Sequence, residues 1–166
     1  MRPVIAVCGA QSPPPPVYEL AYFVGQHLAD AGALLVCGGL EGVMEAACKG
    51  AMEKGGLTIG ILPGLDPKEA NPWVQIPVAT GIGHARNLAV VASAHAVIAV
   101  DGEFGTLSEI AYALRIGRPV VGLATWDLQP GEHNYELKSK RLVHAASTPK
   151  EAVEVAVALS LSHLRR

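Results

Sequence analysis

A repeated unit is the feature that most constrains how this chain can fold. Each unit has a short aliphatic run, a turn of small residues, and then a longer segment with helical periodicity. The clearest aliphatic runs are Val4 to Cys8, Ala33 to Cys37, Leu57 to Leu62, Ala96 to Val100 and Pro119 to Leu123. Strands that alternate with helices form βαβ connections, so the pattern predicts a parallel sheet sandwiched between helices.

The composition agrees with a sheet that is buried on both faces. Half of the residues are hydrophobic, but only 5% are aromatic, so the core must be built from aliphatic side chains. We therefore predict an α/β fold with one Rossmann-like domain over residues 1–166, in which Val4 to Cys8 is the central strand. A net charge of −2 argues against nucleic acid as a partner. No apolar run approaches the ~20 residues of a membrane span, and the first residues lack a secretory pattern, so we expect a cytoplasmic protein with no membrane partner.

Two segments lead to specific expectations about helices. Pro13 to Pro16 form a proline block, and we predict that the first helix begins only after it, at Val17, because proline lacks an N–H group and restricts the residue before it. The predicted helix Gly83 to Ser93 is unusually apolar, and we expect it to be buried in a subunit interface together with the helix Phe104 to Ile116. Thr148 and Glu151 predict a capping box at the start of the last helix.

The three cysteines, Cys8, Cys37 and Cys48, show neither a CxxC motif nor a metal-binding spacing. We expect them to be small buried hydrophobic residues in a reducing compartment. The histidines are also scattered, so the sequence predicts no structural metal.

Three strand ends share small residues followed by a predicted helix start, and we expect a phosphate site there. Ligands of open parallel sheets bind at the carboxyl ends of strands, where glycine lets a ligand approach the backbone and helix N-termini favour anions. The alternative is that these glycines only make tight turns. The predicted ligand-binding residues are Gly9, Ala10, Ser12, Gly38, Gly39, Gly42, Arg86, Asn87, Gly102, Gly105, Thr106 and Glu109.

Two charged residues stand out among this set. Arg86 lies in the first turn of a predicted helix, where a cation opposes the helix dipole and a bound phosphate would resolve the conflict. The alternative is a surface arginine or one in a salt bridge. Glu109 either completes a capping box with Thr106 or faces the same sheet edge, where it accepts hydrogen bonds from a ribose or a pterin-type ring or acts as a catalytic carboxylate.

Three segments together resemble the LOG-like superfamily, whose members were once described as possible lysine decarboxylases. They are Ala85 to Asn87, the strand Ala96 to Val100, and the run Gly102 to Glu109. Gly38 to Met44 is also similar to the Gly-Gly…Gly-Leu-Met segment of that superfamily. The resemblance implies a homodimer or homotetramer and one of two activities. Cytokinin-activating phosphoribohydrolases cleave the N-glycosidic bond of nucleoside 5′-monophosphates, whereas molybdenum-cofactor carrier proteins hold a phosphorylated pterin without turning it over.

The chain departs from the hydrolase signature at three positions. Asp101 stands where that signature has proline, Glu103 where it has its second glycine, and Asn87 where lysine is usual, whereas Arg86 and Glu109 match. The short chain and its Ala-Arg-Asn run look more like the carrier branch.

We therefore expect a protein that binds and carries a phosphorylated pterin or nucleotide-like ligand, with molybdenum cofactor as that ligand. One alternative is a phosphoribohydrolase, with Arg86 and Glu109 as catalytic residues, and another is a nucleotide-sensing module. Lysine decarboxylation is not expected. It would need a Schiff-base lysine for pyridoxal phosphate, and Lys49, Lys54 and Lys68 lie in polar helix or loop contexts.

Overall fold

The strands form one parallel sheet, as the repeated unit predicts. The computed structural model describes residues 2–128 and 142–164, and within these ranges the sheet has seven strands whose neighbours all run parallel. The strands are β1 (Val4–Gly9), β2 (Leu34–Cys37), β3 (Leu57–Leu62), β4 (Ile76–Ala79), β5 (Ala96–Val100), β6 (Val120–Leu123) and β7 (Val143–Ala146). Their spatial order is β4-β3-β2-β1-β5-β6-β7, so the prediction that the first strand is central is confirmed.

Helices cover both faces of this sheet and complete a Rossmann-like α/β fold. Within the described ranges the α-helices are α1 (Pro15–Asp30), α2 (Val43–Glu53), α3 (Arg86–Ala92), α4 (Phe104–Arg115) and α5 (Pro149–Leu164). Side chains alternate along β1, so Ile5 and Val7 face a core shared with α1, α2 and α5, whereas Ala6 and Cys8 face a core shared with α3 and α4. None of the helices in these ranges is both long and apolar enough to cross a membrane.

Helix α1 begins inside the proline block, so the predicted start at Val17 was wrong. Pro15 is its first helical residue, and the N–H groups of Val17 and Tyr18 donate to the carbonyl of Pro14. The first N–H groups of a helix have no partner within the helix, and the φ angle of proline suits the first turn. Proline therefore costs nothing at these positions, although it would break the helix further along.

Helices α1 and α2 lie so close that their backbones touch through two glycines. A Cβ atom on Gly25 would lie 2.0 Å from the carbonyl oxygen of Ala47, and one on Gly50 would lie 2.0 Å from that of Tyr22. Each helix thus supplies one glycine to the contact. This close packing holds α1 and α2 side by side on one face of the sheet, against β1 and β2.

Two further expectations about helices are refined by the structure. Val90 and Val91 of α3 are buried within the chain's own core, whereas Leu88 keeps 37% of its surface exposed, so much of the apolar character of this helix serves the fold itself. At α5 the capping box is confirmed, because Glu151 N–H donates to Thr148 Oγ1 over 3.2 Å. The Glu151 carboxylate accepts from the N–H of Ser147, one residue earlier than in the usual box.

The strand order brings the predicted glycines to one edge. Gly9 ends β1, and Gly38 and Gly102 follow β2 and β5, which flank β1 in the sheet, so their placement at a common edge is confirmed. The chain runs from β1 outward to β2 and β3 on one side, and β5 and β6 lie on the other. The boundary between β1 and β5 is therefore the topological switch point, where open α/β sheets bind ligands.

Candidate anion-binding site

A cavity of about 290 Å³ opens at this switch point. Most of the predicted ligand-binding residues line it: Gly9, Ala10, Arg86, Asn87, Gly105, Thr106 and Glu109. Its other lining residues are Gln11, Leu40, Met44, Pro63, His84 and Glu103, which the sequence reasoning did not include in the site. The β1-α1 loop, the start of α3 and the first turn of α4 thus converge on one space.

Arg86 is a buried cation at the wall of the cavity. It lies in the first turn of α3, as predicted, although α3 begins at Arg86 and not at Gly83, and only 8% of its surface is exposed. Its Nε atom has no hydrogen-bond partner among the described residues, and the two ion pairs found within them involve other side chains. Burial lowers the pKa of Arg86, while the nearby Glu109 and Cys37 act in the opposite direction. Buried polar atoms are nearly always partnered, so this arginine is poised to bind an anion.

Gly38 provides the surface against which the Arg86 guanidinium lies. A Cβ atom at Gly38 would lie 2.0 Å from Nη1 of Arg86, so any side chain here would displace the guanidinium. Gly38 does not line the cavity, but it determines where its cation sits. This role differs from the backbone contact with phosphate that we expected from the sequence.

Glu109 is the second buried charged residue of the cavity wall. It lies on α4 with 6% of its surface exposed, and burial raises its pKa from an ordinary value of 4.5 to about 7. The charge of Arg86 and a hydrogen bond with the Cys8 thiol lower the pKa of Glu109, but they do not outweigh the loss of solvent. The carboxyl group therefore changes protonation near neutral pH and can either accept or donate a hydrogen bond.

The N-terminus of α4 faces the same space. Glu103 occupies the N-cap position, and none of the described side chains caps the helix there. Gly105 lies in the first turn, and a Cβ atom on it would meet no heavy atom of the described residues within 4 Å, apart from its chain neighbours and the backbone of α4. Thr106 is the third helical residue and is buried, so the alternative in which it caps the helix with Glu109 is not realised. Because Glu103, Gly105 and Thr106 all line the cavity, the uncapped first turn of α4 borders it, which suits an anion.

The start of α2, in contrast, is already used by the fold. The N–H group of Val43 donates to the carbonyl of Ala10 over 3.0 Å. Gly42 has a φ of 73°, and a Cβ atom on it would lie 2.3 Å from the carbonyl oxygen of Gln11. Gly42 therefore lets α2 pack on the β1-α1 loop. Like Gly38, the predicted residues Ser12, Gly39, Gly42 and Gly102 do not line the cavity.

A polar contact links the helix that carries Arg86 to the first turn of α4. Asn87 Nδ2 lies 3.5 Å from Ser108 Oγ, and Ser108 Oγ donates to the carbonyl of Gly105 over 2.6 Å. These contacts connect the start of α3 to the first turn of α4, where both helices line the cavity. Asn87 thus lies at the contact between α3, which carries Arg86, and α4, whose first turn is uncapped.

A second cavity of about 380 Å³ adjoins the first, and both are lined by Gln11 and Leu40. Its wall carries the carboxylates of Glu41, Glu45 and Glu69. The two adjoining cavities, which we call the cleft, have a cationic side at Arg86 and an acidic side beyond Leu40. Ligand sites of small molecules commonly occupy about 300–1,000 Å³, so the cleft has room for a ligand larger than a phosphate group.

All three cysteines are buried, as predicted, and within the described residues each one is free. Cys37 and Cys48 have their sulfur atoms 3.5 Å apart, and the N–H group of Gly39 donates to Cys37 over 3.3 Å. These hydrogen bonds, together with the charge of Arg86, lower the pKa of Cys37 despite its burial.

In the described part of the chain, no group of three or more His, Cys, Asp or Glu side chains is arranged to hold a metal ion.

The chain matches the family model of the SLOG cluster4 family over residues 2–153. Among solved structures it is similar to the molybdenum cofactor binding protein of Rippkaea orientalis, with 38% identity, a TM-score of 0.85, and coverage of 96% of this chain and 98% of that one. It is also similar to the molybdenum cofactor carrier protein of Chlamydomonas reinhardtii, with 35% identity, a TM-score of 0.80 and the same coverage.

A plant relative is similar over a smaller share of its own length. It is a protein of Oryza sativa subsp. japonica named "Probable cytokinin riboside 5'-monophosphate phosphoribohydrolase", and it is 34% identical over 138 residues. The match spans 76% of this chain but only 55% of the rice protein.

Proposed function

Because the chain belongs to the SLOG cluster4 family, we propose that it is a binding and carrier protein for a phosphorylated pterin, with molybdenum cofactor as its cargo. The observation that carries this proposal is the buried Arg86, whose Nε atom has no hydrogen-bond partner among the described residues, at a cavity that the uncapped first turn of α4 also borders. Two similar solved structures are of proteins that bind or carry molybdenum cofactor, which supports the choice of ligand.

In this proposal the phosphate of the ligand binds between Arg86 and the first turn of α4. The guanidinium fork suits a phosphate in two-point contact, and the N–H groups near Gly105 together with the Thr106 hydroxyl are further donors. Gly9, Gly38, Gly42 and Gly102 would act through packing, because a side chain at any of them would collide with backbone or with the residues that line the cavity. Ser12 is exposed and has no role in this arrangement.

The rest of the cleft suits the hydrogen-bond donors of a ligand that extends beyond its phosphate. Glu109 is at the phosphate end, and the second cavity presents three carboxylates beyond Leu40. Carboxylates accept hydrogen bonds, so the second cavity can bind amino or hydroxyl groups of the ligand. Glu103 also lines the first cavity, but it is exposed at the mouth, where its charge is screened by water.

A second candidate function is hydrolysis of a nucleoside 5′-monophosphate. It is favoured by the burial of Arg86 and Glu109 at one cavity and by the likeness to the rice relative. With a pKa of about 7, the Glu109 carboxyl is suited to general acid or base catalysis, and Arg86 would hold the sugar phosphate. The departures from the hydrolase signature at Asp101, Glu103 and Asn87 disfavour this function.

The variant Arg86→Ala tests the proposed function. The purified protein is incubated with molybdenum cofactor released from a molybdoenzyme, and the retained cofactor is measured by the fluorescence of its oxidised pterin. A charge-assisted contact is worth about 1.5–3 kcal/mol, so the variant should bind roughly 10- to 150-fold more weakly. Arg115→Ala is the matched control, since Arg115 is exposed on α4 and is not part of the cavity wall. Equal retention by the Arg86 variant and the parent would contradict the proposal.

An assay of adenine release from AMP separates the two candidate functions. A carrier protein should release adenine slowly or not at all. Robust release by the parent, lost in Glu109→Gln, would favour the phosphoribohydrolase instead.

A further inference from the structure

Phe104 is an exposed aromatic residue beside the proposed anion site. It is the first residue of α4 and keeps 80% of its surface exposed, although the chain has only two phenylalanines. Its two chain neighbours, Glu103 and Gly105, both line the cavity. Phe104 does not line the cavity itself, but it lies next to the cavity wall, within one helical turn of Thr106.

Trp126 packs against one side of the Phe104 ring. The centroids of the Phe104 and Trp126 rings are 6.2 Å apart, and the ring planes are inclined by 32°. Trp126 itself packs against the core cluster on the α3 and α4 face of the sheet. The core thus supports one side of the Phe104 ring, while most of the ring surface remains accessible to solvent.

The residue between Phe104 and the buried Thr106 carries no side chain. Gly105 follows Phe104 directly, and apart from its two chain neighbours and the backbone of α4, a Cβ atom there would find no atom of the described residues within 4 Å. A ligand whose phosphate binds at the start of α4 therefore meets no side chain at Gly105 itself.

We propose that Phe104 is a stacking platform for the planar nitrogen heterocycle of the phosphorylated ligand. This inference rests on the proposed anion site, and it assigns to the same turn of α4 both the phosphate and the ring of the ligand. Every nitrogen heterocycle has a π face, so stacking on Phe104 selects for ligands that carry a ring over those that carry only a phosphate. Phe104 is then a specificity-determining residue, whereas Arg86 supplies affinity for any phosphate.

The test compares three ligands by isothermal titration calorimetry: ribose 5-phosphate, which has no heterocycle, and AMP and a pterin monophosphate, which both have one. Phe104→Ala should weaken binding of AMP and of the pterin monophosphate by about 5- to 150-fold. It should leave the Kd for ribose 5-phosphate unchanged, and Phe104→Tyr, which keeps the ring, should restore binding of the two larger ligands. Phe23→Ala is the matched control, because Phe23 is a partly exposed phenylalanine on α1, outside the cavity wall.

The outcomes separate this inference from the proposed function. If Phe104→Ala weakens all three ligands equally or none of them, the stacking platform is rejected while the anion site stands. If Phe104→Ala instead changes the mass of the protein in light scattering and leaves the ligand preference unchanged, the ring belongs to a contact between copies of the chain. If the parent binds none of the three ligands, the anion site is rejected, and the platform with it.

Discussion

Replacing the buried Glu109 by glutamine should stabilise the fold, by an amount that depends on pH. Glutamine keeps the size of the side chain and its hydrogen-bonding oxygen, but it does not ionise. In the folded parent, Glu109 is either protonated or a buried carboxylate. Among the described residues, only Arg86 and the Cys8 thiol stabilise the charged form of this carboxylate. The variant removes that choice, so the difference between the two proteins isolates the ionisation of one group.

The size of the effect follows from the two pKa values. The pKa of Glu109 is about 7 in the folded protein, compared with an ordinary value of 4.5. A pKa difference of one corresponds to about 1.4 kcal/mol, so the folded parent loses about 3 kcal/mol relative to the variant once both states are ionised. The sign follows from proton binding: between pH 4.5 and 7 the folded state holds the extra proton, so its stability falls as the pH rises through this window.

Urea unfolding of parent and variant at several pH values measures this difference. The gap in the free energy of unfolding should be smallest near pH 4, should grow between pH 4.5 and 7, and should stay constant above pH 8. Glu19→Gln, an exposed position on α1, should show no such growth. A gap that does not change with pH would refute the reasoning, because it would mean that Glu109 ionises as easily in the folded protein as in the unfolded chain.

Three further predictions concern ligand affinity and assembly. Because the pKa of Glu109 is about 7, the fraction of the protein in which Glu109 is neutral falls roughly tenfold between pH 6 and 8. The affinity of the parent for ribose 5-phosphate should therefore fall about tenfold over this range relative to the affinity of Glu109→Gln. Parallel pH profiles of the two proteins would show that the ionisation of Glu109 does not affect phosphate binding. Gly38→Ala should displace Arg86 and weaken phosphate binding, which calorimetry measures; an unchanged affinity would show that the guanidinium position is not critical. Gly105→Ala places its methyl group in open space and should keep the melting temperature of the parent or raise it, which thermal unfolding measures. We propose a homodimer or homotetramer that buries the surface around Leu88, so light scattering should give a mass above the 17.3 kDa of one chain, and a monomer at micromolar concentration would exclude it.

The sequence predicted part of the lining of the candidate cavity because its signals there are chemical. Glycines at strand ends let a ligand approach the backbone, and a cation at a helix start is unfavourable for stability alone, so Arg86 and Gly105, which line the cavity, could be named from the sequence. The sequence did not reveal Leu40 or Met44, because an apolar side chain that lines a cavity looks the same as one that fills a core. It also misjudged the first helix, since the cost of a proline depends on where the helix begins, and the sequence alone did not show that Pro15 is its first residue.

The position of the cleft at the boundary between β1 and β5 has a consequence for how the chain can be divided or extended. One wall comes from the β1-α1 loop and Leu40, and the other comes from Arg86 and the first turn of α4. A fragment that ends after β4 would contain the first wall but lack the cation, so no split of the chain between β4 and α3 leaves an intact site on either piece. The strands β4 and β7 lie at the two sides of the sheet, but Pro72 and His84, which precede and follow β4, line the cleft. A reporter domain or a linker inserted between β7 and α5 would leave the binding edge open, whereas an insertion between β5 and α4 would separate the two groups on which the phosphate depends.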